Sequence, residues 1–115
     1  NGIYVNPSSF VTVANNVINL VGAHGIYMLG GAVNSILNNT ISLVGIDGIH
    51  ALDVLGLTIT GNSVTGAADD GIDVTNSGPA TINNNTVIGV VDNGIILTGS
   101  ALANVNGNTV TGAGT

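Results

Sequence analysis

The chain has 115 residues, six aspartates, no glutamate, no lysine and no arginine, for a formal net charge of −6. With no cations to meet phosphates or anionic headgroups, nucleic acid and anionic lipid surfaces are excluded as partners, and an acidic polysaccharide would be repelled unless a metal ion bridged the charges. There is no cysteine, hence no disulfide framework, and no run of about 18 apolar residues of the kind that crosses a membrane.

Gly2, Gly25, Gly48, Gly71 and Gly94 are spaced 23 residues apart, and each precedes an isoleucine. The chain therefore divides without insertion into five repeats, 1–23, 24–46, 47–69, 70–92 and 93–115. A fixed period in this range signals a solenoid. Glycine and asparagine are abundant but periodic, which argues against disorder. The chain starts and stops on repeat boundaries and lacks an initiator methionine, so it reads as a single solenoid segment of a longer or polymerised chain.

Within repeat one, apolar residues alternate with polar or variable ones around Ile3 and Val5, around Val13 and around Ile18. Period-2 alternation predicts half-buried strands over 2–6, 11–14 and 17–19. The same positions predict strands over 25–29, 34–37 and 40–42 in repeat two and over 48–52, 57–60 and 63–65 in repeat three. They predict 71–75, 80–83 and 86–88 in repeat four, then 94–98, 103–106 and 109–111 in repeat five. Gly, Asn, Ser and Pro separate them as turns. A single coil cannot bury its own apolar face. Stacked about 4.8 Å from a neighbour, its strands pair in parallel and like residues lie over like. Each fully buried Ile or Val then contributes roughly 1.5–3 kcal/mol.

One polar column is invariant: Asn16, Asn39, Asn62, Asn85 and Asn108. An amide donates and accepts, so stacked asparagines can form a structural ladder satisfied at both ends. The residue before each is Asn or Gly, the types that tolerate the left-handed backbone of a tight turn.

Gly71-Ile72-Asp73-Val74, followed by Thr81-Ile82-Asn83-Asn84-Asn85-Thr86-Val87-Ile88-Gly89, resembles the right-handed parallel β-helix repeats of the pectate lyase and mannuronan epimerase type. The resemblance covers all five repeats. It implies an all-β, right-handed, single-stranded parallel β-helix of five coils, with the Asn pair in the short turn between the second and third strands. Structural and catalytic proteins share this fold, so it does not imply an activity.

Two clusters are candidate sites. Asp47, Asp69, Asp70 and Asp92 gather at repeat positions 1 and 23, around one turn. Calcium takes six to eight oxygens and would bridge them; a solvated acidic turn is the alternative. Tyr27, His50 and Asp73 follow one another at position 4, on the outer face of the first strand, where the resembling enzymes often carry substrate. They form a candidate proton-transfer set. Against catalysis, the Arg or Lys with which uronate-processing relatives hold carboxylates is absent, as is an Asp-Pro-His stretch. His24 is expected to be a turn residue. Outward Thr and Ser on the third strand, such as Thr40, Ser42, Thr109 and Thr111, resemble ice-binding solenoids, but Val17, Asn19 and Ile88 break the array.

The residues thus favour a structural rather than catalytic chain. The expected role is an extracellular or cell-surface fibre, adhesin or sheath that self-associates head to tail through its terminal coils. A polysaccharide-binding or -processing module is the alternative.

Overall fold

In the computed structural model, which describes residues 1–114, the chain is all-β, with three strands per coil. The first strands of the five coils are β1 (Ile3–Val5), β4 (Ile26–Leu29), β7 (Ile49–Leu52), β10 (Ile72–Thr75) and β13 (Ile95–Thr98). The second strands are β2 (Thr12–Ala14), β5 (Ala32–Leu37), β8 (Leu55–Thr60), β11 (Ala80–Asn83) and β14 (Asn104–Asn106). The third are β3 (Val17–Val21), β6 (Thr40–Val44), β9 (Ser63–Thr65), β12 (Thr86–Ile88) and β15 (Thr109–Thr111). Equivalent strands pair in parallel and make three five-stranded sheets, each running through the coils in order. The register holds at 23 residues throughout, as in Ile3↔Ile26, Ile36↔Ile59 and Val87↔Val110.

The core is the inside of this three-sided stack. Ile26, Ile49 and Ile72 at position 3, Ile36, Ile59 and Ile82 at position 13, and Ile41, Val64 and Val87 at position 18 are fully buried. Further columns join it: Met28, Ala51 and Val74 at position 5, Leu57 and Ala80 at position 11, and Val44, Ala67 and Val90 at position 21. The two ends differ. Val13 and Ile18 in coil one are only 6% and 7% exposed, whereas Val105 and Val110 in coil five are 46% and 44% exposed. Each coil is therefore covered mainly by the coil that follows it.

Gly25, Gly48 and Gly71 are required for space. A Cβ on Gly48 would lie 2.3 Å from Val64 Cγ1 and 2.6 Å from the Gly71 carbonyl oxygen. The turn thus passes directly over the third-sheet column, and only glycine fits. Position 15 needs the left-handed backbone instead: Asn15, Asn38 and Asn84 have φ between 54° and 58°, and Gly61 and Gly107 share the conformation.

The residue after that turn builds the asparagine ladder. Asn39 Nδ2 donates to Asn62 Oδ1 at 2.9 Å and to the Val13 carbonyl at 2.9 Å, and the Asn39 backbone N–H donates to the same Oδ1. The pattern repeats between Asn16 and Asn39, Asn62 and Asn85, and Asn85 and Asn108. Asn39, Asn62 and Asn85 are buried, with both amide ends satisfied, as burial requires.

Candidate functional site

The 23-residue register sets the outward residues of the first sheet in one row: Tyr4, Tyr27, His50, Asp73 and Ile96. Strands are about 4.8 Å apart, so neighbours in the row touch. Tyr4 stacks on Tyr27 with ring centroids 5.3 Å apart. The Tyr27 ring lies 5.0 Å from that of His50, tilted by 51°. His50 Nδ1 stands 2.8 Å from Asp73 Oδ2, and Asp73 Oδ1 accepts a hydrogen bond from Thr75 Oγ1 at 3.0 Å. Tyr27, His50 and Asp73 are thus brought together on three successive coils.

The turn before each first strand folds position 1 back beside this row. His24 stacks on His50, with centroids 4.9 Å apart and planes 23° apart, and its centroid is 5.2 Å from that of Tyr27. Asp47 lies against the Nδ1 atoms of both imidazoles. Its Oδ2 is 3.1 Å from His24 Nδ1 and 3.4 Å from His50 Nδ1. Neither ring nitrogen is aligned for a hydrogen bond, so these close approaches are electrostatic contacts. The other oxygen of Asp47 is fixed, because Oδ1 accepts the Asp70 backbone N–H at 3.0 Å. One coil on, Asp70 Oδ1 accepts from the Asn93 backbone N–H and Nδ2 at 2.8 and 2.9 Å. Position 1 is therefore a second polar ladder, which holds Asp47 in place with Oδ2 turned to the histidines.

The charges respond to this packing. The Asp47 contact raises the pKa of His50 against the effect of its burial, with Asp73 adding to the rise. Burial lowers the pKa of His24, and Asp47 only partly offsets that. The pKa of Asp47 is lowered despite its burial, chiefly by His50 and the Asp70 N–H. The protonated form is thus favoured on His50 and disfavoured on His24. Exposed Asp69 is pushed up by partial desolvation and by the carboxylates of Asp70, Asp47 and Asp92.

The expected acidic group divides. Carboxylate oxygens of Asp47, Asp69 and Asp70 come within 4.8 Å of one another, without Asp92. The Asp92 backbone N–H donates to the Asp69 carbonyl. In Asp47 and Asp70, one oxygen is already engaged by backbone N–H groups. A different trio, His24, Asp47 and His50, also comes within 4.8 Å. His24 does lie in the turn, but that turn carries it against Tyr27 and His50. The available signal was its spacing, one repeat before Asp47 and three residues before Tyr27.

Other buried polar residues are structural. Asn34 is fully buried; its Oδ1 accepts the Val11 N–H and its Nδ2 donates to the Ser8 carbonyl. Ser77 Oγ accepts the Val54 N–H, and Ser100 Oγ accepts the Ser77 N–H. A shallow surface hollow lined by Asn76, Ser77, Pro79 and Leu102 contains no titratable group.

No curated protein and no solved structure matches the chain. The family model described as "Right handed beta helix region" matches residues 1–115. With fifteen strands among the described residues, in three parallel sheets of constant 23-residue register, the chain belongs to the right-handed β-helix family.

Proposed function

We propose that this chain is a structural solenoid of an extracellular or cell-surface fibre, adhesin or sheath, and that its copies stack end to end. The observation that carries this reading is the unbroken 23-residue parallel register, which a further coil of the same phase would continue. Val105 and Val110 are nearly half exposed, while Ile82 and Val87, one coil earlier, are fully buried. The last strands also present unpaired N–H and C=O groups along one edge each. The first coil of another copy supplies strands of the same 23-residue phase and a matching column in Ile3, Val13 and Ile18. Such a contact is heterologous and propagates without closing.

Sedimentation of the 115-residue chain across a concentration series tests this. Oligomers that lengthen with concentration, and that Val110→Asp disperses, support it. A monodisperse monomer at every concentration overturns it.

A second reading, a polysaccharide-binding or -processing surface, draws on the row Tyr4, Tyr27, His50 and Asp73, where aromatic faces lie beside a paired acid and base. Retention on neutral polysaccharide that Tyr4→Ala and Tyr27→Ala both abolish would favour it.

A further inference from the structure

Nδ1 of His24 and Nδ1 of His50 are buried and face carboxylate oxygens without the alignment of a hydrogen bond, His50 Nδ1 facing Asp73 Oδ2 at 2.8 Å among them. Both stand against one oxygen, Asp47 Oδ2, at 3.1 and 3.4 Å. Two imidazole nitrogens and a carboxylate oxygen that all lie within 4.8 Å of one another form a donor set of the kind that holds a metal ion. A metal ion fits the spacing. Nitrogen and oxygen ligands held about 2.0–2.2 Å from a tetrahedral ion lie about 3.3 Å from each other. We propose that His24, Asp47 and His50 bind a divalent transition-metal ion of the zinc type at the junction of coils two and three.

Two imidazoles and one carboxylate suit zinc, cobalt, nickel or copper rather than calcium, which takes oxygen ligands. The outer shell is already built. The Asp70 N–H holds Oδ1 of Asp47 and so aims Oδ2 at the site, and the Tyr27 ring packs against both imidazoles. Outer-shell contacts of this kind orient metal ligands. Asp73, whose Oδ2 is 2.8 Å from His50 Nδ1, stands at the edge of the site on coil four. The histidine side chains keep 18% and 17% of their surface exposed, which gives an ion a way in from solvent. The ion would tie coil two to coil three, and binding only the folded state it would raise the melting temperature.

The test is zinc and cobalt(II) titration of the untagged chain, which has only these two histidines and no cysteine. One ion per chain is expected, with a higher melting temperature in zinc and a visible cobalt d–d band. His24→Asn is expected to fold, because Asn occupies this column in coils one and five as Asn1 and Asn93. His24→Asn and His50→Gln should each weaken zinc by more than the roughly 10–100-fold that loss of an outer-shell partner costs. Asp69→Asn should leave zinc binding unchanged. Absence of saturable zinc binding at micromolar concentrations overturns the proposal. So does binding that survives loss of both histidines in a variant whose far-UV circular dichroism is native. Binding lost in Asp69→Asn, or matched by calcium, places the ion on the acidic turn and equally overturns it.

Discussion

Asn62 shows how much one side chain can carry in a solenoid. Its Oδ1 accepts both the backbone N–H and the Nδ2 of Asn39, and its Nδ2 donates to the Ile36 carbonyl. Asn62→Ala removes these, and the bond from its Nδ2 to Asn85 Oδ1, at once in a buried setting. With each orphaned group costing about 1–3 kcal/mol, the loss should reach about 3 kcal/mol in urea unfolding. Asn104→Ala, on an exposed strand, should change stability by less than about 0.5 kcal/mol. Val33 illustrates the opposite case, a residue held in an unfavourable conformation. It is exposed, β-branched and at φ 57°, where the next coil has Gly56. Val33→Gly should therefore raise stability by about 1 kcal/mol, the left-handed strain relieved outweighing the added freedom of the unfolded chain. The two histidines should titrate in a fixed order. His50 is raised above its ordinary 6.5 and His24 lowered below it. With chelator present, an NMR titration should show His50 losing its proton at the higher pH. The stabilising share of His50 is fully present below pH 6.5 and lost as pH rises through its folded value; that of His24 is present above 6.5 and lost as pH falls through its own.

At the level of the strand and its turn, the glycine before each first strand is tightly constrained. A Cβ on Gly71 would approach Val87 Cγ1 to 2.4 Å and the Gly94 carbonyl oxygen to 2.5 Å. The backbone oxygen cannot turn away as a side chain can. Gly71→Ala should cost at least the roughly 1–3 kcal/mol typical of overpacking, seen as a lower melting temperature. Such tight stacking explains what alternation alone could reveal. Columns 3, 5, 13 and 18 were legible because they hold apolar residues in every coil. Column 21 was not, because the residue before it, Leu20, Leu43, Gly66, Gly89 or Gly112, has a left-handed backbone. That kink turns positions 18 and 21 inward, three residues apart, and breaks the period of two. Column 11 hid for a different reason: it holds Val11, Asn34, Leu57, Ala80 and Ala103, with no common chemistry. Strands β3 and β6, with Leu20 and Leu43 at the kink where the other coils have glycine, run on to Val21 and Val44. The row of Tyr27, His50 and Asp73 could be read from period and register. The approach of His24 to it could not, since it depends on how the turn folds position 1 back against position 4.

For the molecule as a whole, inter-coil pairing links each residue to one 23 positions away. Excising residues 70–92 should leave the remaining coils in register. The shortened chain should still fold cooperatively, with a lower melting temperature, as expected for a stack stabilised by nearest-neighbour contacts. Excising only 70–81 moves turn and third-strand residues, Asn84, Asn85, Thr86 and Val87, into first-strand places and should give a chain with no cooperative melt by circular dichroism. The coil-to-coil pairing has a mechanical consequence. A coil is held only by its two neighbours, as Val87 is by Val64 and Val110, so tension along the chain should release coils one at a time from an end of the stack. Every coil of 23 residues released in this way would pay out roughly 80 Å of extended chain, while the stack shortens by only about 4.8 Å. Such a protein would yield under load in discrete, equal steps, lengthening many times over before its last coil gave way.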